Sequence, residues 1–306
     1  MSDRIIVGTP EWHEARRTRI GGSEQGALWG VRYGITAWQL FQMKTGLLAH
    51  PDIGGKERVM AGTFLESGIA AWATATWPEM GPIERCLEYV PHPTIPGIGA
   101  SLDFRRCEDG APVEIKNVDF LIWRDNWVCE GDTIIEAPLH IELQVQHELA
   151  CTKASYAWLV ICVGGNTLYR CKREARPATI GIIEAKVAEF WDRVARNDPP
   201  PPDFEHDGAA IATLYREGCV YGKQIDLTKD NRMPELVAML ERARANSAAS
   251  AKVAEECKAE ILNKLSDAES AIIAGGDIVT AKLTHKEAHM VKESTFPVIR
   301  IMKAKF

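Results

Sequence analysis

The chain lacks most of the features that mark specialised protein classes. Its eight cysteines (Cys86, Cys107, Cys129, Cys151, Cys162, Cys171, Cys219 and Cys257) are scattered, with no Cys-x-x-Cys pair and no histidine cluster at zinc spacing. Such usage predicts reduced thiols in a cytosol and speaks against a zinc or iron–sulfur centre. No apolar run reaches the ~20 residues of a membrane span, and the opening MSDRIIVGTPEWHEARR has no apolar signal core. There is no Gly-x-Ser-x-Gly and no cysteine in an activating sequence context, so serine or cysteine hydrolysis finds no support. Excess positive charge is absent too, with a net charge of −6. That disfavours coating nucleic acid through bulk charge. It leaves room for an enzyme with a local basic channel, because the shape of the field matters more than the total. What is present is an ordinary globular composition, 46% hydrophobic and 25% charged over 306 residues, enough for one large domain and an appendage.

The pattern along the chain predicts helices, three strands, a helix, two strands and a helix, an α/β order that implies a mixed sheet. Thr36 caps a helix ending near Lys44 and Gly46, and a longer helix runs over 57–77. Strands are expected at 84–90, 98–106 and 111–118, and a loop containing a strand at 119–138. A helix follows at 139–152. SYAWLVICV and TLYRCKR then form a hairpin around Gly164-Gly165-Asn166. Ile180, Ile183, Val187, Phe190, Trp191 and Val194 trace the apolar stripe of a closing helix. The prolines at 199–202 mark a boundary between a core at 1–200 and an extension at 203–306. The extension reads as helical over 232–272, with a small β element at the end. No internal repeat is seen.

The chemistry is concentrated in GIGASLDFRRCEDGAPVEIK (97–116). Side chains alternate along a strand, so Glu114 and Lys116 share one face while Val113 and Ile115 share the other. Asp103, on an antiparallel strand, comes alongside them. Two carboxylates and an ammonium converging on one sheet face call for a cation, and hard divalent ions take oxygen ligands. Asp103, Glu114 and the carbonyl of Ile115 therefore suit Mg2+ or Mn2+, with Lys116 holding the attacking water or offsetting transition-state charge. An E-I-K triplet alone is a common surface pattern; the Asp before it, in a strand–turn–strand setting, makes the active-site reading the better one. Glu66 shares a helical stripe with Ile69, Ala70, Ala73 and Trp77, where a carboxylate has to be paired, protonated, metal-bound or at a wetted edge. Gln144 and Gln146 lie about 200° apart on a helix, so only one can face a site, and helical geometry does not choose between them. Arg16, Ser23 and the Gly21-Gly22 backbone could form an anion pocket, although from spacing alone a capping serine with solvated arginines explains them as well.

EWHEARRTRIGGSEQGALWG, GTFLE, GASLDF, VEIK and LHIELQVQHELACTK, in this order, resemble the YqaJ-type viral recombinase nucleases. These are relatives of phage lambda exonuclease within the PD-(D/E)xK group, and the resemblance covers roughly residues 10–200. It implies a restriction-endonuclease-like mixed sheet flanked by helices, with a C-terminal helical extension. Position by position, the family's metal-binding acids fall on Asp103 and Glu114, its lysine on Lys116 and its upstream helix acid on Glu66. The family's glutamine falls on Gln144, and its 5′-phosphate pocket residues on Arg16 and Ser23. Departures are Ser101-Leu102-Asp103-Phe104 in place of Ser-Pro-Asp-Gly, Ile141 in place of a tyrosine, and Gly21 in place of a pocket threonine. The implied activity is Mg2+-dependent 5′→3′ digestion of linear double-stranded DNA, with two ions per active site. The implied partners are DNA ends, two further copies in a ring-shaped homotrimer, and a single-strand annealing protein in the host cytosol of a phage or prophage. Another nuclease on the same fold (an endonuclease or single-strand exonuclease) and a non-catalytic DNA-end binder are the alternatives.

Overall fold

The computed structural model describes residues 4–31, 33–50, 54–215, 222–274 and 277–282. The chain divides into two units, Met1–Leu214 and Tyr215–Phe306. The first opens with helices. α1 (Pro10–Arg17) is capped by the Thr9 hydroxyl, which accepts the Trp12 N–H at 3.3 Å, with Pro10 in the first turn where no N–H is needed. A 3-10 turn (Gly22–Glu24) leads into α2 (Gln25–Leu28). α3 (Ala37–Lys44) starts at Thr36, whose hydroxyl accepts the Gln39 N–H at 3.0 Å, and α4 spans Glu57–Thr76.

Strands β1 (Ile83–Arg85), β2 (Tyr89–Pro91), β3 (Gly99–Ser101), β4 (Phe104–Arg106) and β5 (Pro112–Val118) follow. The strands expected at 84–90 and 98–106 are thus each broken in two, and Asp103 lies in a break and not on a strand. The Asp103 carboxylate accepts the Ile115 N–H at 2.9 Å while its carbonyl accepts the Cys86 N–H at 3.0 Å. β2 and β3 pair as a separate ribbon. Residues 119–138, expected as a loop with one strand, form α5 (Phe120–Asn126) and a hairpin of β6 (Val128–Glu130) and β7 (Thr133–Glu136). The helix signal there is Asp119, which caps α5 by accepting the Leu121 N–H at 2.9 Å. α6 (Leu139–Thr152), β8 (Tyr156–Val163), β9 (Thr167–Glu174), α7 (Pro177–Arg196) and α8 (Gly208–Leu214) complete the unit.

Seven strands form one mixed sheet in the order β1-β4-β5-β8-β9-β7-β6, with β5–β8 and β7–β9 parallel. Alternate residues of its central strands feed two cores. Ile69, Ala70 and Ala73 of α4 pack on Val113, Ile115, Trp158 and Val160. Ile141, Val145 and Leu149 of α6 pack on Leu159, Ile161 and Cys171 on the opposite face. β8 is apolar to both layers, which explains its unbroken hydrophobic run. The stripe of α7 buries Val187 and Phe190 against Leu40, Phe41 and Ile98.

The division falls at Leu214 and not at the prolines, because the segment after them folds back onto α3. Buried Asp207 accepts from the Thr36 hydroxyl (2.7 Å) and from Gln39 Nε2 (2.8 Å), while Ile211 and Leu214 pack against Trp38, Met43 and Leu48. The second unit contains one long helix, α9 (Arg232–Leu265), and a hairpin of β10 (Ser270–Ile272) and β11 (Ile278–Thr280). Most of the terminal β element expected from the sequence lies in 283–306, outside the described residues. Among the described residues no helix is long and apolar enough to cross a membrane, and Cys86, Cys107, Cys129, Cys151, Cys162, Cys171 and Cys257 carry free thiols.

Candidate active site

β5 builds the centre of the site by alternation. Val113 and Ile115 enter the α4 core, so Glu114 and Lys116 are turned to the α6 side of the sheet. Glu114 is only 1% exposed, yet one of its oxygens, Oε1, accepts Gln144 Nε2 at 2.6 Å and also pairs with the Lys116 ammonium. The β4 ladder stops at Phe104↔Val113. Beyond it the N–H and C=O of Ile115 point together at an edge that no strand continues. Asp103 takes the N–H, which leaves the carbonyl beside its carboxylate. Glu66 reaches the same place from α4 and is held by Arg85 at 3.0 Å. Asp103, Ile115, Lys116, Gln144 and Glu66 line one cleft of about 710 Å3.

Burial, and then the charge of Glu114, push the Asp103 carboxyl up to about 8, against the pull of Lys116 and of the Ile115 N–H. Glu66 is also raised, chiefly by burial, with Arg85 opposing and Glu114 adding. Burial would lower the Lys116 ammonium, but Glu114 and Asp103 outweigh it and hold the amine protonated well beyond neutral pH. Glu114 Oε2 is buried without a hydrogen-bond partner among the described residues. Such an orphaned oxygen is costly unless a cation or a proton reaches it. The donor set (two carboxylates, a peptide carbonyl and a nearby third acid) is all oxygen, and so fits a hard divalent ion.

The raised Asp103 pKa has a measurable consequence. The folded protein keeps that proton to about pH 8, whereas the unfolded chain releases it near the ordinary 3.8. Folding without metal therefore takes up a proton, so the stability this group confers is greatest at low pH and is lost as pH rises through that window. Metal-free protein in EDTA is expected to melt at progressively lower temperature between about pH 5 and about pH 8. Mg2+ should restore more at the upper end, where it no longer competes with the proton, and Asp103→Asn should flatten both trends. Differential scanning fluorimetry across pH checks this; a Mg2+ shift independent of pH would contradict it.

α6 separates the two glutamines as the helical geometry requires. Gln144 faces the site, while Gln146 ties the chain end of β9, donating to the Glu174 carbonyl (2.9 Å) and accepting the Arg176 N–H (2.8 Å). Gly22 lies against Gln144, and a Cβ there would come within 2.9 Å of its Cγ, so the Gly21-Gly22 turn is a contact surface for α6. One residue was not foreseen. Glu148, one turn beyond Gln144, is 1% exposed and its Oε1 accepts Gln144 Nε2 at 3.1 Å. Its pKa is raised far above the ordinary value by burial and then by Glu114 and Asp103. The i, i+4 spacing from Gln144 was the available signal.

Ser23 lines the cleft, whereas Arg16 is not among the residues that do. Arg16 lies over the Trp12 ring at 5.0 Å, with its nearest carboxylate oxygen, on Glu24, at 4.0 Å. The Gly21 N–H offered for an anion is occupied by Glu24 Oε2 at 2.8 Å, and Glu24 in turn is held by the buried Lys44. The pocket drawn from these residues is therefore only partly assembled. Asp203, Glu205 and His206 also cluster, but they are wired as a turn, with His206 Nδ1 and the Glu205 N–H on Asp203.

The fold is a mixed α/β sheet flanked by helices, with an acid at a strand break and a Glu-x-Lys on the next strand. Comparison with known proteins gives the following likenesses. Residues 11–155 match the YqaJ-like viral recombinase domain, so the resemblance read from the motifs is borne out over that segment. The uncharacterized protein YqaJ of Bacillus subtilis (strain 168) is 26% identical over 270 residues, covering 86% of this chain and 80% of that protein. The crystal structure of LHK-Exo, an alkaline exonuclease from Laribacter hongkongensis, is 18% identical with a TM-score of 0.49, covering 66% of this chain and 99% of the other. Its complex with dAMP gives a TM-score of 0.50 at the same identity and coverage.

Proposed function

We propose that this protein is a Mg2+-dependent deoxyribonuclease that degrades one strand of linear duplex DNA from its 5′ end, leaving 3′ single strands for an annealing partner. The observation that carries the reading is the convergence of Asp103, Glu114, the Ile115 carbonyl, Lys116 and Gln144, with Glu114 Oε2 orphaned among them. Asp103, Glu114 and the Ile115 carbonyl would hold one Mg2+ or Mn2+ ion, and Glu66 would share a second. Such ions, when bound, polarise the scissile phosphodiester and activate water. The protein's own groups do the rest. Gln144 fixes the carboxylate of Glu114 through its amide. Lys116, kept charged by its two acids and with a third of its side chain exposed, stands ready to stabilise charge gathering on the phosphoryl oxygens. The 5′ preference rests on Ser23 in the cleft and on Arg16 turning from Trp12 towards the DNA end. Assembly as a homotrimer enclosing the duplex belongs to the same proposal.

Linear duplex with 5′-phosphate or 5′-hydroxyl ends, and covalently closed circular duplex, compared with and without Mg2+, test this. The linear 5′-phosphorylated form is expected to be degraded only with metal, and the circle to survive. Cutting of the circle would identify an endonuclease on the same fold. Equal rates on the two kinds of end would remove Arg16 and Ser23 from the reading.

A further inference from the structure

The loop after α2 presents a tyrosine that the hydrolytic machinery does not use. The Val31 N–H donates to the Gly26 carbonyl (2.9 Å) and the Tyr33 N–H to the Val31 carbonyl (2.7 Å). Gly30 and Gly34 bracket the tyrosine at φ +66 and +77, left-handed conformations that glycine adopts without strain. The Tyr33 ring lies flat on that of His140, with centroids 3.8 Å apart and planes 11° from parallel. His140 sits in the first turn of α6, one turn before Gln144, and is backed by Gly26. Alongside this stacking, Tyr33 is 63% exposed. Both rings line the same cleft as Asp103, Lys116 and Gln144.

A large aromatic side chain stacked on a neighbouring ring but left open has one face committed and one face available. Burial, with Lys116 adding, lowers the pKa of His140, so the backing ring is an uncharged imidazole that stacks without repelling a cation or attracting a carboxylate. We propose that Tyr33, backed by His140, is a stacking platform for a nucleobase of the strand whose phosphodiester lies at Asp103, Glu114 and Lys116. The proposal rests on the nuclease reading. A flat π-face accepts all four bases, so the platform would add affinity and set the position of the strand without selecting sequence. That is what an enzyme passing along arbitrary DNA requires. The tyrosine hydroxyl has no part in it.

The full-length protein and its Tyr33→Ala, Tyr33→Phe and Tyr33→Trp variants are titrated with linear duplex carrying 2-aminopurine at the 5′-terminal positions. Ca2+ replaces Mg2+, and the DNA is checked for cleavage afterwards. Parent protein should perturb the 2-aminopurine fluorescence. Tyr33→Ala should bind about tenfold or more weakly and leave the fluorescence as in free DNA, in line with the loss of one stacked base. In Mg2+ its KM should rise more than its kcat falls, while Phe and Trp behave as the parent. Far-UV circular dichroism confirms folding, which an exposed ring is not expected to govern. The platform is overturned by parent-like binding and fluorescence in Tyr33→Ala, or by Phe being as weak as Ala. If the parent neither binds nor degrades linear duplex, the nuclease reading falls and the platform with it; an active parent with an unaffected Ala variant removes the platform alone.

Discussion

Lys116→Ala is expected to reduce degradation of linear duplex by about a thousandfold, the scale seen when one preorganised group facing transition-state charge is removed. Three observations set that size. Lys116 is the cation paired with Glu114 in the site, and it lines the cleft beside Asp103. Its ammonium is held protonated by Glu114 and Asp103, so it brings full charge at any working pH. Arg85, the cation nearest Glu66, is already engaged by that carboxylate and does not take over the pairing with Glu114. The variant also leaves Glu114 and Asp103 without their counter-ion. Their mutual repulsion then grows, and Mg2+ should bind at least as tightly as to the parent, since a competing positive charge has gone. Tight metal binding with chemistry lost is the signature of a group that acts on the transition state. Isothermal titration of the metal and gel assays of duplex degradation separate the two. Degradation at the parent rate would remove Lys116 from the mechanism.

How much of this was legible in the sequence follows from the range of the forces involved. Strand alternation is local, so Glu114 and Lys116 on one face and Val113 and Ile115 on the other could be read from four residues. The stripe of α7 and the doubly buried run of β8 follow the same rule at other periods. The break at Asp103 was not legible, because it depends on a hydrogen bond between its side chain and the backbone of Ile115. Local pattern favours an unbroken strand there. Gln144 and Gln146 are equivalent by helical geometry, and only the neighbours of α6 distinguish them: Glu114 on one side and the end of β9 on the other. α5 was missed although its Asp119 cap is a standard start signal, because the apolar residues Phe120, Leu121 and Ile122 that follow are exposed and present no helical stripe. The Arg16 pocket shows the opposite failure. Its residue types suit an anion, but the carboxylate of Glu24, itself held by Lys44, takes the Gly21 N–H first.

Glu148 carries the second large expectation, and the nature of the substitution decides it. Its carboxyl is enclosed, accepts from Gln144 and has its other oxygen, Oε2, without a partner among the described residues. Glu114 Oε2 is in the same position. With its pKa raised well above the ordinary value by burial and by two neighbouring acids, Glu148 favours its protonated form, which accepts from Gln144 through Oε1 and offers its own hydrogen through Oε2. A glutamine can do both, with its carbonyl and its amide. Glu148→Gln should therefore keep metal affinity and degradation close to the parent. Glu148→Leu leaves a buried amide hydrogen of Gln144 unmatched and so loosens the side chain that holds Glu114. The expected loss is about ten- to a hundredfold in metal affinity and in rate, the usual cost of removing a group that orients a metal ligand. Binding of Mn2+ to DNA-free protein, followed by electron paramagnetic resonance, reads this without relying on activity, and the melting temperature reports any wider damage. If Gln proves as harmful as Leu, then Glu148 acts through negative charge and belongs with the ions. If Leu binds metal as the parent does, Gln144 and Lys116 alone hold Glu114 in place.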